Sequence, residues 1–326
     1  MGNCSFCNNN PPHEQNISLS RNTFSLMDTP IQKENFDPSN FIFLTNNNNN
    51  INSMNLNNTN STSLEFGIIK WHNDSFFKGT FHNTISTGWG IYSHPLGGVY
   101  KGYFINDIPK GYGIYTHISN CVYEGEWDEK QYGIGIENWN DGSFYEGEFE
   151  NGCKKGIGKY VFMNGDVYYG EWENNLMCGI GIFYYRFGIF LGEFLNGVKF
   201  GYGEYFVGES LFVGYFRNNL QNGFFMFFSN EKIVVGFKLN GKIDGLCRVI
   251  DKNEEKFMFL RDGKKNRKFV FENEKIESYF EEGNKKFICY FRKNKRELNE
   301  EYEKRMKFKK EIEEFVLNSK CVCFCN

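Results

Sequence analysis

Apolar and polar positions alternate with a period of two through the middle of this chain, in short bursts. The plainest are Tyr123-Glu124-Gly125-Glu126-Trp127, Tyr145-Glu146-Gly147-Glu148-Phe149 and Tyr169-Gly170-Glu171-Trp172. In an extended strand, residues at i, i+2 and i+4 share a face, so Tyr168, Gly170 and Trp172 point one way and Tyr169, Glu171 and Glu173 the other. Eight or nine residues after its first glycine, each burst is answered by Gly-x-Gly, as in Gly133-Ile134-Gly135, Gly156-Ile157-Gly158, Gly179-Ile180-Gly181 and Gly201-Tyr202-Gly203. Turn signals separate the bursts at Gly97-Gly98, Asp141-Gly142 and Asn164-Gly165. Asp-Gly and Asn-Gly between alternating apolar residues signal a hairpin, because a type I′ turn needs positive φ at both central positions. Each burst therefore predicts one β-hairpin.

The hairpins repeat. The first glycines are Gly79, Gly102, Gly125, Gly147, Gly170, Gly192, Gly214 and Gly236, spaced 22 or 23 residues apart. A period this short marks a supersecondary unit rather than a domain. With strands paired in sequence order, a ring lies over the bare backbone of a glycine on the neighbouring strand, the close approach that a recurrent strand glycine marks. Rings of successive hairpins then form one aromatic row, each pair adding about 0.5–1.5 kcal/mol beyond its burial. That explains 36 Phe and 19 Tyr in 326 residues.

These phrases resemble the repeats of the MORN (membrane occupation and recognition nexus) family over residues 66–250, in eight copies. The defining positions are the eight glycines with Trp127, Phe149, Trp172, Phe194 and Phe216. The resemblance implies an all-β repeat fold: an elongated single-layer antiparallel sheet of consecutive hairpins. The copies weaken toward the end. The eighth has Lys238 where the second aromatic belongs, and the seventh has Gly223-Phe224-Phe225 in place of Gly-x-Gly. Residues 251–293 keep strand composition without the glycines, at Phe257–Gly263 and Tyr279–Gly283, and read as degenerate capping hairpins.

Beyond them, Leu298, Tyr302, Phe308, Ile312, Phe315 and Val316 recur at three- and four-residue steps, predicting one α-helix over 294–318, about 37 Å long. It either packs over the open face of the sheet, self-associates or lies on a membrane surface. Residues 1–65 are rich in asparagine, with the run Asn46 to Asn50, and read as a disordered tail; 319–326 is a cysteine-rich tail.

Charge divides the chain unevenly. Residues 76–250 hold 14 Lys and Arg against 18 Asp and Glu, whereas 251–320 hold 20 against 16. An acidic array suits anionic lipid badly. The basic residues Lys264, Lys265, Arg267, Lys268, Arg292, Lys293, Lys295 and Arg296 are better placed for it, and their alternative is a solvated surface interleaved with Glu.

At the amino terminus, Gly2 precedes Cys4 and Cys7 in a pattern resembling dual acylation, myristate on the glycine and palmitate on the thiols, although Phe6 stands where Ser or Thr is usual. Two such signals hold a protein stably on a membrane where one does so marginally. Cys321, Cys323 and Cys325 form a second candidate palmitoylation cluster. The remaining cysteines are scattered singly, which argues for a reducing compartment and against a disulfide framework. No metal, cofactor or catalytic residue is expected. His94 and His117 lie 23 residues apart at equivalent hairpin positions, and Gly-x-Gly never opens a helix as a phosphate loop does. Acidic overall charge and the lack of a recognised module argue against nucleic acid.

The expected function is a non-enzymatic scaffold, tethered to the cytoplasmic face of a membrane, that organises protein partners; the alternative is direct recognition of acidic phospholipid by the basic C-terminal region. A homodimer through the weakened C-terminal copies is a further expectation, since open sheet edges invite another chain.

Overall fold

The structure is a computed structural model and describes residues 64–252, 254–265, 279–281, 284–286 and 295–321. It divides into two compact units, one through Tyr160 and one from Val161. The first holds β1 (Glu65–Lys70), β2 (Phe76–His82), β3 (Ile85–Ser93), β4 (Val99–Ile105), β5 (Ile108–Thr116), β6 (Val122–Asp128), β7 (Lys130–Asn138), β8 (Phe144–Glu150) and β9 (Cys153–Val161). The second holds β10 (Val167–Glu173), β11 (Leu176–Tyr185), β12 (Gly188–Leu195), β13 (Val198–Val207), β14 (Ser210–Arg217), β15 (Leu220–Phe228), β16 (Lys232–Leu239), β17 (Lys242–Ile243), β18 (Gly245–Asp251), β19 (Glu255–Arg261) and β20 (Lys264–Lys265). After them come the short pair β21 (Tyr279–Glu281) and β22 (Asn284–Lys286), and a helix, α1 (Lys295–Cys321). Consecutive strands pair antiparallel in an open sheet, from β1–β2 in the first unit and from β10–β11 in the second. The expected architecture of hairpins followed by one helix is what the chain adopts, with the helix running three residues further than its periodicity indicated.

The tight turns sit elsewhere than the sequence placed them. Paired positive φ values, as in a type I′ turn, occur at Asn106-Asp107 (52°, 66°), Asn174-Asn175 (49°, 66°) and Asn196-Gly197 (51°, 80°), after the first strand of each hairpin. At Asp141-Gly142 and Asn164-Gly165 only the glycine is left-handed. Those loops carry one residue more. Gly142 N–H donates to the Trp139 carbonyl at 3.0 Å, and Trp139 N–H donates to that of Ser143 at 3.0 Å. Asparagine reaches the left-handed region more easily than most residues, which is why pairs without glycine serve.

Each hairpin contains a bulge beside its first glycine. The register shifts between Gly125 and Trp127, Gly170 and Glu171, and Gly192 and Phe194. The opposing glycines Gly133, Gly156, Gly179 and Gly201 take φ of 53–68° there. The repeated Glu answers the bulge: Glu148, Glu171 and Glu193 accept the N–H of Ile157, Ile180 and Tyr202 at 2.9–3.0 Å. These carboxylates stitch the bulge. Glu171→Ala is expected to cost about 1 kcal/mol, below the usual range for a hydrogen bond to a charged group because Glu171 is exposed. A urea-unfolding midpoint unchanged from wild type would show that the bond contributes nothing.

The rings of one face cover the glycines as anticipated. Gly170 pairs with Gly181 and Gly192 with Gly203. The ring of Tyr168 lies across Gly181 so closely that a Cβ there would come within 2.5 Å of the hydroxyl. The Tyr123, Tyr145 and Tyr168 hydroxyls donate to the carbonyls of Glu126, Glu148 and Glu171 at 2.9–3.0 Å. Successive hairpins meet edge to face: Phe77–Phe104 at 4.9 Å, Tyr123–Phe149 at 5.0 Å, Tyr168–Phe194 at 5.0 Å and Phe190–Phe216 at 5.0 Å between centroids. The row fills its own groove.

The second face changes character along the chain. The residue before the first glycine is Lys78, Lys101, Glu124 and Glu146 in the first four copies, then Tyr169, Leu191, Val213 and Val235 in the last four. The latter four are buried. In the second unit α1 packs on this face, opposite the rings, and not over the aromatic row. Leu298 and Ile312 are buried, and Tyr302 stacks on Phe228 at 5.7 Å. Arg305 pairs with Glu204 and, at 2.9 Å, with Glu301; Lys309 Nζ donates to the Gly208 carbonyl at 2.8 Å. Glu204 lies opposite Val213, and Phe228 opposite Leu211, which fixes the face.

Candidate functional site

Only part of the expected membrane apparatus falls on described residues. Gly2, Cys4, Cys7, Arg267, Lys268, Arg292, Lys293, Cys323 and Cys325 lie outside them, and Cys321 is the last residue of α1. Lys264 and Lys265 form β20. Lys295 Nζ donates to the Asp251 carbonyl at 2.9 Å, and Arg296 pairs with Glu300 one helical turn on, also at 2.9 Å. His94 and His117 do occupy equivalent turns: each Nδ1 accepts a backbone N–H two residues on, from Leu96 at 3.2 Å and Ser119 at 3.1 Å. That is turn capping. Among the described residues, no cluster of three or more His, Cys, Asp or Glu gathers to hold a metal ion, and no helix is long and apolar enough to cross a membrane.

The chemistry that sequence reasoning missed lies on the ring face, where lysines sit among the aromatic rings. In the first unit, Lys154 Nζ stands 4.7 Å from the Trp139 ring centroid and 5.2 Å from that of Tyr145, and its charge is met by Glu137 at 2.9 Å. In the second unit, Lys199 lies opposite Phe194 across the bulge, which places its side chain on the ring face. Its ammonium is 4.6, 4.7 and 4.8 Å from the centroids of Phe190, Tyr205 and Tyr185. Lys238 stands over Phe212 at 4.9 Å and Phe225 at 5.0 Å, with Gln221 accepting a hydrogen bond from it. A cation over a ring face is attracted by the ring quadrupole, more strongly as it is desolvated. Burial pushes the Lys199 amine down to about 8 and lowers that of Lys238 as well. The departure at Lys238 that made the eighth copy look degenerate thus fills the ring's place with an alkyl stem and a cation. Parity would have found Lys199, since it is four residues before Gly203 and shares its face.

The ring face is thus aromatic and cationic, and the opposite face mixes Lys101, Glu124 and Glu146 with Ile91, Ile114 and Ile136 in the first unit and is occupied by α1 in the second. The repeated carboxylates and tyrosine hydroxyls bond to backbone groups, which is a building role rather than a reactive one.

Comparison with known proteins matches the MORN repeat at residues 100–122, 145–167, 168–186 and 190–207. No curated protein matches. Among solved structures, the TCP domain of Drosophila melanogaster SAS-4, in complex with a proline-rich motif of Ana2, is similar at 11% identity and TM-score 0.31, covering 53% of this chain and 90% of that one. A point mutant of the TCP10 domain of Danio rerio CPAP is similar at 8% identity and TM-score 0.28, covering 64% and 99%. Likenesses this distant bear on neither function nor partner. MORN repeats are found in membrane-associated scaffold proteins and are generally non-catalytic. With the phrase repeated in eight hairpins and the family matched at four stretches, the chain is a MORN-repeat protein.

Proposed function

We propose that this chain is a non-enzymatic scaffold, tethered by acylation of Gly2 and Cys4 or Cys7 to the cytosolic leaflet of a membrane, where the array gathers protein partners, a second copy of itself among them. The observation that carries the reading is how the repeated polar groups are used. Glu148, Glu171 and Glu193 bond to bulge N–H groups and the ring-face tyrosines to backbone carbonyls, so what each hairpin presents outward is surface. An open sheet face of this kind suits holding other chains, and the two acyl signals supply stable attachment.

The test is the anchor. Gly2→Ala in the full chain is expected to move most of the protein from the membrane pellet to the soluble fraction on ultracentrifugation. Membrane association unchanged by Gly2→Ala would sink the tether.

A further inference from the structure

In β10 to β16 of the second unit the strand carboxylates are confined to one face: Glu171, Glu173, Glu193 and Glu204 each have the parity opposite to the rings. Glu171 and Glu193 reach bulge N–H groups and Glu204 reaches Arg305. On the ring face of these strands stand Lys199 and Lys238. Burial lowers both amines, and among the described residues neither lysine has a carboxylate within ion-pair distance; Lys238 donates to Gln221 instead. The first unit shows what such a lysine accepts when a carboxylate is at hand. Lys154, caged by Trp139 and Tyr145, takes Glu137 from two strands away at 2.9 Å. Glu137 stands two residues after the second glycine of its hairpin; the matching positions in the second unit are Phe183, Tyr205 and Phe227. Rings stand there, as they do at Tyr92, Tyr115 and Tyr160, so Glu137 is the exception in its column; Lys199 holds the position of Lys154, four residues before the second glycine, and Lys238 that of the second aromatic.

We propose that the ring face of β11 to β16 binds an extended acidic segment of a partner protein, whose two carboxylates take the places at Lys199 and Lys238 that Glu137 takes at Lys154. The inference rests on the scaffold reading and names the chemistry of its partner. Lys199 is on β13 and Lys238 on β16, three strand spacings or about 14 Å apart. An extended chain advances about 3.4 Å per residue, so carboxylates four residues apart match that separation and, the number being even, project from the same side. The segment would lie across the strands, its apolar residues against the ring edges. Both ammonium groups are partly buried between rings, within reach of a single chain and withdrawn from a broad plane such as a lipid surface. Desolvated cations of this kind strengthen charge-assisted hydrogen bonds to carboxylate.

The experiment uses the full chain and two fluorescein-labelled decapeptides of alternating valine and threonine, one with glutamates four residues apart and the other with glutamines there. Fluorescence anisotropy is expected to give at least ten-fold tighter binding for the glutamate peptide. Lys199→Gln with Lys238→Gln should erase the difference while the thermal transition persists. On the unaltered protein, the glutamate peptide should slow acylation of Lys199 and Lys238 by an amine-reactive ester, read by mass spectrometry, independently of any folding defect in the variant. Equal binding of both peptides, binding of neither, or unprotected lysines would overturn the proposal. Protection by phosphatidylserine vesicles in place of the peptide would also overturn it, and assign the face to lipid. If the peptide fails while the membrane-bound chain still retains co-purifying proteins, only the acidic-segment proposal falls and the scaffold reading stands.

Discussion

Gly181→Ala is expected to lower stability by about 3 kcal/mol, the upper end for forcing a methyl group into a filled core. The new Cβ would stand 2.5 Å from the Tyr168 hydroxyl and 2.6 Å from its ring. Tyr168 has nowhere to go: it is fully buried, donates to the Glu171 carbonyl at 3.0 Å, and meets Trp172 at 5.3 Å and Phe194 at 5.0 Å edge to face. The sheet cannot open either, because Gly170 faces Gly181 and a Cβ on the former would come 2.6 Å from the Cα of the latter. Relief would require turning the ring out of the row and losing its hydroxyl bond. The control is Gly165→Ala, where φ is +83° and nothing lies within 4 Å. That change pays only the left-handed backbone cost, about 1–2 kcal/mol. Urea titration of both variants decides: equal midpoints would mean that the close approach carries no special weight.

Glu204→Ala is expected to cost about 3 kcal/mol and to loosen α1 from the sheet. Removing one member of a buried pair leaves the other charged and unsatisfied, typically a loss of 3–5 kcal/mol. Arg305 is poorly placed to compensate, since its Nε is already buried without a hydrogen-bond partner and only Glu301 would remain beside the guanidinium. Loosening the helix uncovers Leu191, Val213 and Val235, so the variant should gain dye binding to exposed apolar surface and faster proteolysis within 295–321. Replacing both partners, Glu204→Leu with Arg305→Met, is expected to restore protection, because an apolar pair avoids the desolvation penalty. Slow proteolysis in the single variant would show that apolar contacts alone hold the helix.

The ring face was legible because its positions repeat identically and period-two parity needs only one copy to read. Tyr168, Gly170 and Trp172 announce both the strand and the side that faces the neighbouring hairpin. The tight turns were misplaced because Asp141-Gly142 advertises the turn more loudly than Asn106-Asp107 or Asn174-Asn175, although asparagine serves the left-handed region in the latter. The helix was legible in its period, yet its seat was not. That required comparing one column across copies, where Glu124 and Glu146 give way to Leu191 and Val213. The caged lysines were hidden for a related reason: parity was followed in the first strand of each hairpin and not carried across the bulge to Lys199.

The changing column before the first glycine also restricts how such a chain can lengthen. Adding or excising a whole hairpin among the first four copies would leave the aromatic row continuous, since its units are interchangeable on that face. The same operation between Val207 and Gly245 would shift members of the set Glu204, Phe228 and the Asp251 carbonyl relative to one another by one hairpin, about 10 Å. A helix of fixed length that rests on all three through Arg305, Tyr302 and Lys295 would lose part of its footing. Duplication is therefore tolerable only where the second face is wet, and the apolar half has become a fixed-length module within an otherwise extensible array.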